Sequence, residues 1–153
     1  LTDRVKIFDR IFGEYCQYLA SDTGDFVLKR RDGLFSYQFA SVVDDQFQGV
    51  THIVRGGDLL ESAPRQVYLQ NCLGYKNLDY AHIPLVKNKH GQKLSKQNQA
   101  KPAQVNRASS NLWAALAWLN QKPPQSIYGA PVTDILSWAK SNWRLQHIRE
   151  KVK

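Results

Sequence analysis

A chain of 153 residues with 42% hydrophobic content can bury a core of its own, yet no apolar run reaches the roughly 20 residues a membrane-crossing helix needs. Cys16 and Cys72 have neither metal-site spacing nor the numbers of a disulfide framework, which argues against a cysteine-stapled secreted domain, predicts no metal held by this chain and makes the cytoplasm the expected compartment. The formal net charge of +8 points to a polyanionic partner, and it is unevenly spread: no acidic residue lies between Asp79 and Asp134.

Residues 4–20 carry apolar side chains at spacings that suit a helix (Val5, Phe8, Ile11, Phe12) and at spacings that suit a strand (Val5, Ile7), so either element fits there. After the turn at residues 21–25, FVLKR alternates apolar with polar or basic residues and predicts a half-buried strand. Tyr37, Ala40, Val43, Asp44 and Phe47 then recur at helical spacing, with Ser36 as a possible N-cap and Gly49 as the stop. The β-branched run GVTHIVR predicts a buried strand that runs into the glycine turn RGGDLL. Residues 62–74 predict a second helix with Pro64 in its first turn, and HIPLV predicts a returning strand. Strand, helix, strand, helix, strand over residues 26–86 is the order of a parallel α/β sheet.

A long polar segment follows, NKHGQKLSKQNQAKPAQVNR, whose length suggests a functional loop. SSNLWAALAWLN predicts a helix capped by Ser109 or Ser110, and TDILSWAKSNWRL one more helix capped by Thr133 or Asp134. All four tryptophans fall in these last helices, where helical spacing favours packing over stacking on RNA bases. The domain organisation expected is therefore 1–86 for the α/β part, 87–107 for the basic loop and 108–153 for a short helical part.

In KLSK, Lys93 and Lys96 are two mobile point charges on a glycine-preceded loop, suited to gripping a phosphate chain while negative charge moves. Lys96 is the first candidate for that catalytic role. Arg55, at the end of GVTHIVR, offers a planar fork for a carboxylate, or else a salt bridge to Asp58. Tyr37 contributes a hydroxyl to the same strand-end crevice or stands as a half-buried helix residue.

The stretch from Asp25 to Asn98, with RRDGLFSY, RGGDLLES, H-x-P-L and KLSKQN, resembles the glutamyl-tRNA synthetase family. The closest form is its shortened paralogue without an anticodon-binding domain, in keeping with the few helices after KLSK. The resemblance implies the second half of a Rossmann-type class I catalytic domain followed by a small helical part. It implies activation of glutamate with ATP and Mg²⁺, then transfer to the queuosine base of tRNA(Asp). Tyr37 and Arg55 match the glutamate-binding tyrosine and arginine, Asp58 and Leu59 the adenosine-contacting stretch, and Lys93 and Lys96 the two lysines of the KMSKS loop. Ser41 stands where the full-length synthetases often carry Asn, which puts a side-chain contact to glutamate from that position in doubt. The family's HIGH-like motif and zinc-binding cluster are expected before Leu1, so this polypeptide alone is expected to activate glutamate poorly or not at all. Two further readings fit the same residues: this region of a conventional glutamyl-tRNA synthetase, and a non-catalytic tRNA-binding remnant.

Overall fold

A computed structural model of the chain describes residues 4–95 and 102–152. The chain divides into two compact units, Leu1–Ile83 and Pro84–Lys153.

The first unit is built on a four-stranded sheet. Strand β1 (Arg4–Asp9) resolves the ambiguity of the opening segment: it alternates exposed and buried residues, so Val5, Ile7 and Asp9 share the buried face. A turn with Gly13 at φ 83° reverses the chain into the antiparallel strand β2 (Gly13–Tyr18). Helix α1 (Tyr37–Phe47), strand β3 (His52–Gly56), helix α2 (Ala63–Cys72) and strand β4 (Asp79–Ile83) follow. The strand order is β2-β1-β4-β3, with β1, β4 and β3 mutually parallel. In β4, Tyr80, Ala81 and His82 are buried in succession, as expected of a central strand covered on both faces. Val5, Ile7, Leu19, Ala63, Val67 and Tyr80 form the core where α2 packs on β1. Burial of a Val or Ile side chain in such a core contributes about 1.5 to 3 kcal/mol.

Two predicted strands are corrected. Residues 26–30 form no strand; Lys29 makes an isolated bridge to Phe35, while Ser36 N–H donates to Leu28 O and Arg30 N–H to Leu34 O. Val27 is 60% exposed, so alternation there meets neither a ladder partner nor a covered face. The third parallel strand is β1 instead. The strand expected at HIPLV begins earlier, at Asp79, and stops at Ile83 because Pro84 has no N–H for the ladder.

Helix α1 starts one residue after Ser36 as expected, but the Ser36 hydroxyl makes no cap bond. Gly49 at φ 67° closes its end, with Val50 N–H donating to Asp45 O at 2.9 Å. Helix α2 carries Pro64 in its first turn, as the sequence predicts.

The second unit opens with a hairpin-like turn: Lys87 bridges Lys93, and the Asn88 side-chain oxygen accepts from the N–H groups of His90 and Gln92. Helix α3 (Ala108–Trp118) begins before the expected caps, and Ser110 Oγ donates back to Arg107 O instead. At its end Asn120 takes φ 59°, and Gln121 N–H reaches Leu116 O, the closing pattern of a left-handed C-terminal cap. Helix α4 (Val132–Asn142) starts at Val132, so Thr133 and Asp134 lie in its first turn instead of capping it. The single predicted last helix is two, because the chain breaks at Trp143 and Arg144 before α5 (Leu145–Val152). The buried Gln121 amide holds that break: its Oε1 accepts from Arg144 N–H at 2.8 Å and its Nε2 donates to Arg144 O at 3.1 Å. Leu116, Ile135 and Ala139 form the core, with Trp138 packed against it. Trp113 meets Tyr128 edge-on, and Lys151 lies 4.3 Å over the Trp118 ring. Packing therefore accounts for these three tryptophans, as their spacing predicts.

Candidate active site at the carboxyl edge of the sheet

Parallel strands align their carboxyl ends, and open α/β sheets bind ligands beyond those ends. Here the register sets Arg55 of β3 opposite His82 of β4, and Asp9 of β1 opposite Tyr80. The alternation that buries Val5 and Ile7 carries Asp9 onto the same face. Three adjacent strands thus end in a carboxylate, an imidazole and a guanidinium.

The three are hydrogen-bonded in series. Arg55 Nε–H donates to His82 Nε2 at 2.9 Å, and His82 Nδ1 lies 2.6 Å from Asp9 Oδ2. Asp9 and His82 are both 0% exposed. The Asp9 carboxylate also accepts from the backbone N–H groups of Ile11 and Phe12, each at 2.9 Å, and of His82 at 3.0 Å. Burial pushes the Asp9 carboxyl up, but these four donors, His82 foremost, outweigh it and hold the pKa below the ordinary 3.8. Arg55 has two further anchors: its Nη2 donates to Leu59 O at 3.3 Å, and its guanidinium carbon sits 5.5 Å over the Tyr80 ring. Gln70 Nε2 in turn donates to the Tyr80 hydroxyl at 3.2 Å.

Arg55 lines a cleft of about 460 Å³ together with Tyr37, Ser41, Asp44, Asp45 and Ile53. Tyr37 and Arg55, the two residues expected to meet one carboxylate, are brought together here. Tyr37 is 57% exposed, so its hydroxyl is available to a ligand. Ser41 is engaged otherwise, accepting from Gln66 Nε2 at 3.0 Å across α1 and α2. Burial pushes the Asp45 carboxyl up, Arg55 opposes this, and Asp44 reinforces it. A second cavity of about 500 Å³, lined by Leu19, Phe26, Leu28, Tyr68 and Leu69 among others, offers an anionic ligand no cation among the described residues.

Asp58 and Leu59 lie on the 3₁₀ turn Gly57–Ser62 that follows β3, Asp58 exposed and Leu59 half-buried. Close approach favours glycine at position 57: a Cβ there would stand 3.2 Å from Ile83 O and 3.3 Å from Phe12 Cζ. Lys93, on the hairpin-like turn of the second unit, is exposed. Lys96 lies outside the described residues.

Sequence reasoning passed over Asp9 and His82. The signal for Asp9 was the strict alternation of RVKIFD, legible only once the segment is known to be a strand. His82 stood inside the quoted H-x-P-L motif without a role.

An α/β sheet with an anchored arginine at its carboxyl edge is a frame suited to an anionic ligand, and the comparisons with known proteins place that frame in a family. The model for class I tRNA synthetases (E and Q), catalytic domain, matches residues 2–128, and the chain belongs to this family. It is 47% identical over 144 residues to the glutamyl-Q tRNA(Asp) synthetase of Thiobacillus denitrificans, an alignment covering 94% of the chain and 48% of that protein. It is 50% identical over 135 residues to the protein of the same name from Dechloromonas aromatica, covering 88% of the chain and 45% of that protein. The chain spans about half the length of the curated relatives it matches. Among solved structures, the glutamate-tRNA synthetase of Elizabethkingia anophelis shares the fold, with a TM-score of 0.69 over 98% of this chain and 34% of that one at 21% identity.

Proposed function

We propose that this chain is the portion of an ATP-dependent, glutamate-activating ligase that grips a glutamate carboxylate and the ATP phosphates. The whole enzyme then transfers the glutamyl group to queuosine in the anticodon loop of tRNA(Asp). The observation that carries the reading is Arg55, anchored by His82, Leu59 O and Tyr80 while lining a cleft with Tyr37. A guanidinium fixed in orientation before the ligand arrives binds a carboxylate without first losing its own side-chain freedom. The names of the relatives supply glutamate and tRNA(Asp) as the substrate classes.

In this reading Tyr37 and Arg55 bind glutamate, and Asp58 and Leu59 contact the adenosine. Lys93 and Lys96 neutralise the phosphates as charge develops on them. In activation, a glutamate carboxylate oxygen bonds to the α-phosphorus of ATP, and pyrophosphate leaves with the electron pair of the broken P–O bond. Transfer to the tRNA then releases AMP. Mg²⁺ enters on the triphosphate; among the described residues no group of His, Cys, Asp and Glu is arranged to hold a metal ion. Zinc belongs to the upstream part of such an enzyme, and the cytoplasm is its compartment. No helix among the described residues is long and apolar enough to cross a membrane.

The test is glutamate-dependent exchange of pyrophosphate into ATP by the gene product that contains this chain, with and without tRNA. Exchange without tRNA, abolished by Lys96→Ala and weakened by Arg55→Ala, is expected. Exchange only with tRNA would point to a conventional glutamyl-tRNA synthetase, and none under either condition to a tRNA-binding remnant.

A further inference from the structure

We propose that Asp9 and His82 are positioning residues for glutamate: a buried relay, Asp9 to His82 to Arg55, that fixes the guanidinium at the angle from which it receives the substrate carboxylate. The inference rests on the reading of Arg55 as the carboxylate ligand. It goes beyond that reading by assigning a task to two residues that never meet the substrate.

The protonation pattern of the relay follows from its donors. Arg55 Nε carries a hydrogen and can only donate, so His82 Nε2, 2.9 Å away, must be the accepting, unprotonated nitrogen. The imidazole proton then resides on Nδ1, and it donates to Asp9 Oδ2 at 2.6 Å. The opposite tautomer, or an imidazolium, would set a second donor against Arg55 and push the guanidinium away. Asp9 selects the tautomer because it is a pure acceptor while charged, and its backbone donors keep it charged.

The ring cannot rotate to escape. His82 is fully buried and lies stacked on Tyr80, with ring centroids 6.0 Å apart and planes 4° from parallel. Arg55 rests over the same Tyr80 ring, so one aromatic plane aligns both partners. With Nε given to His82 and Nη2 to Leu59 O, Nη1 makes no hydrogen bond to a described residue. The relay thus holds the guanidinium by one side and leaves donors for the cleft that Arg55 lines.

Two measurements on the gene product that contains this chain test the relay. In long-range ¹H–¹⁵N spectra of the wild-type protein, His82 should be neutral and protonated on Nδ1. A proton on Nε2, or on both nitrogens, at neutral pH overturns the inference whether or not glutamate is activated. In pyrophosphate exchange, Asp9→Asn keeps an oxygen for Ile11 and Phe12 but presents an amide donor to His82 Nδ1, which forces the other tautomer. It should raise the KM for glutamate about tenfold, the scale on which removing the partner that orients a ligating side chain acts. The KM for ATP should stay within about twofold.

His82→Gln, whose amide oxygen reaches the place of Nε2, should keep a near-normal glutamate KM even where it lowers the melting temperature. His82→Asn, which reaches only the place of Nδ1, should raise it like Asp9→Asn. A purely structural role predicts no such split between Gln and Asn. Unchanged glutamate KM in Asp9→Asn and His82→Asn, beside a raised KM in Arg55→Lys, overturns the relay and leaves the proposed function standing. An unchanged glutamate KM in Arg55→Lys overturns both.

Discussion

The two units bury polar side chains for different ends. At the carboxyl edge of the sheet, Asp9 and His82 are wholly inaccessible and pass their hydrogen bonds outward to Arg55, a half-buried side chain on a cleft. In the helical unit, the one buried polar side chain among the described residues is Gln121, and its bonds run to the backbone of Leu119 and of Arg144, where α4 gives way to α5. Gln121 is complete in itself: it satisfies backbone groups that a broken helix leaves without partners. The Asp9 chain is not, because its last member faces outward with donors to spare. A buried network that ends on the surface of a cleft marks a site, whereas one that ends on backbone marks a joint.

The largest effect expected from breaking this comparison is on Asp9. Asp9→Ala strands the N–H groups of Ile11, Phe12 and His82 together with the imidazole proton, and should destabilise the protein by about 3 to 5 kcal/mol, read as a lower urea midpoint. Gln121→Ala should cost about 1 to 2 kcal/mol by the same measurement, since it strands the N–H of Arg144, whose carbonyl keeps the His147 N–H. Its glutamate KM should stay at the wild-type value, which separates joint from site.

The pH dependence sharpens the contrast further. Asp9 titrates below its ordinary 3.8 in the folded protein, so the unfolded chain binds the proton first as pH falls. Its contribution to stability is complete above about 3.8 and is lost as pH drops through the depressed folded value. Urea midpoints measured down through that window should fall for the wild type and fall less for Asp9→Asn. The smallest effect is expected at Asp45, where the sign reverses. Burial raises its folded pKa, so stability declines as pH rises from 3.8 through that raised value. Asp45→Asn should therefore raise the melting temperature slightly at neutral pH, with no gain below 3.8.

Much of the frame was legible in the chain. The β-branched strand β3 forms where expected but at the sheet's edge, with Val54 69% exposed, and is not the buried strand its composition suggested. Helix α1 with its Gly49 stop and the proline-started helix α2 obey local rules, because their hydrophobic period and their end signals coincide. Arg55 was legible for the same reason, as the polar end of an apolar strand running into a glycine turn. Where period and neighbours disagreed, pattern misled. FVLKR alternates like a strand but has no ladder beside it, and the opening segment, whose pattern fitted two elements, supplies the strand in its stead.

By itself the sequence determined which residue types stand at which chain positions: an arginine at a strand end, a tyrosine in the first turn of a helix, two lysines in a basic loop, and a helical tail rich in tryptophan. Only the tertiary structure decided that β1 lies beside β4, and with it that Asp9 and His82, 73 residues apart, are hydrogen-bonded behind Arg55. Periodicity assigns a residue to a face of its own element. It carries no information about which strands become neighbours, and that choice is made by burial of the whole sheet against α2.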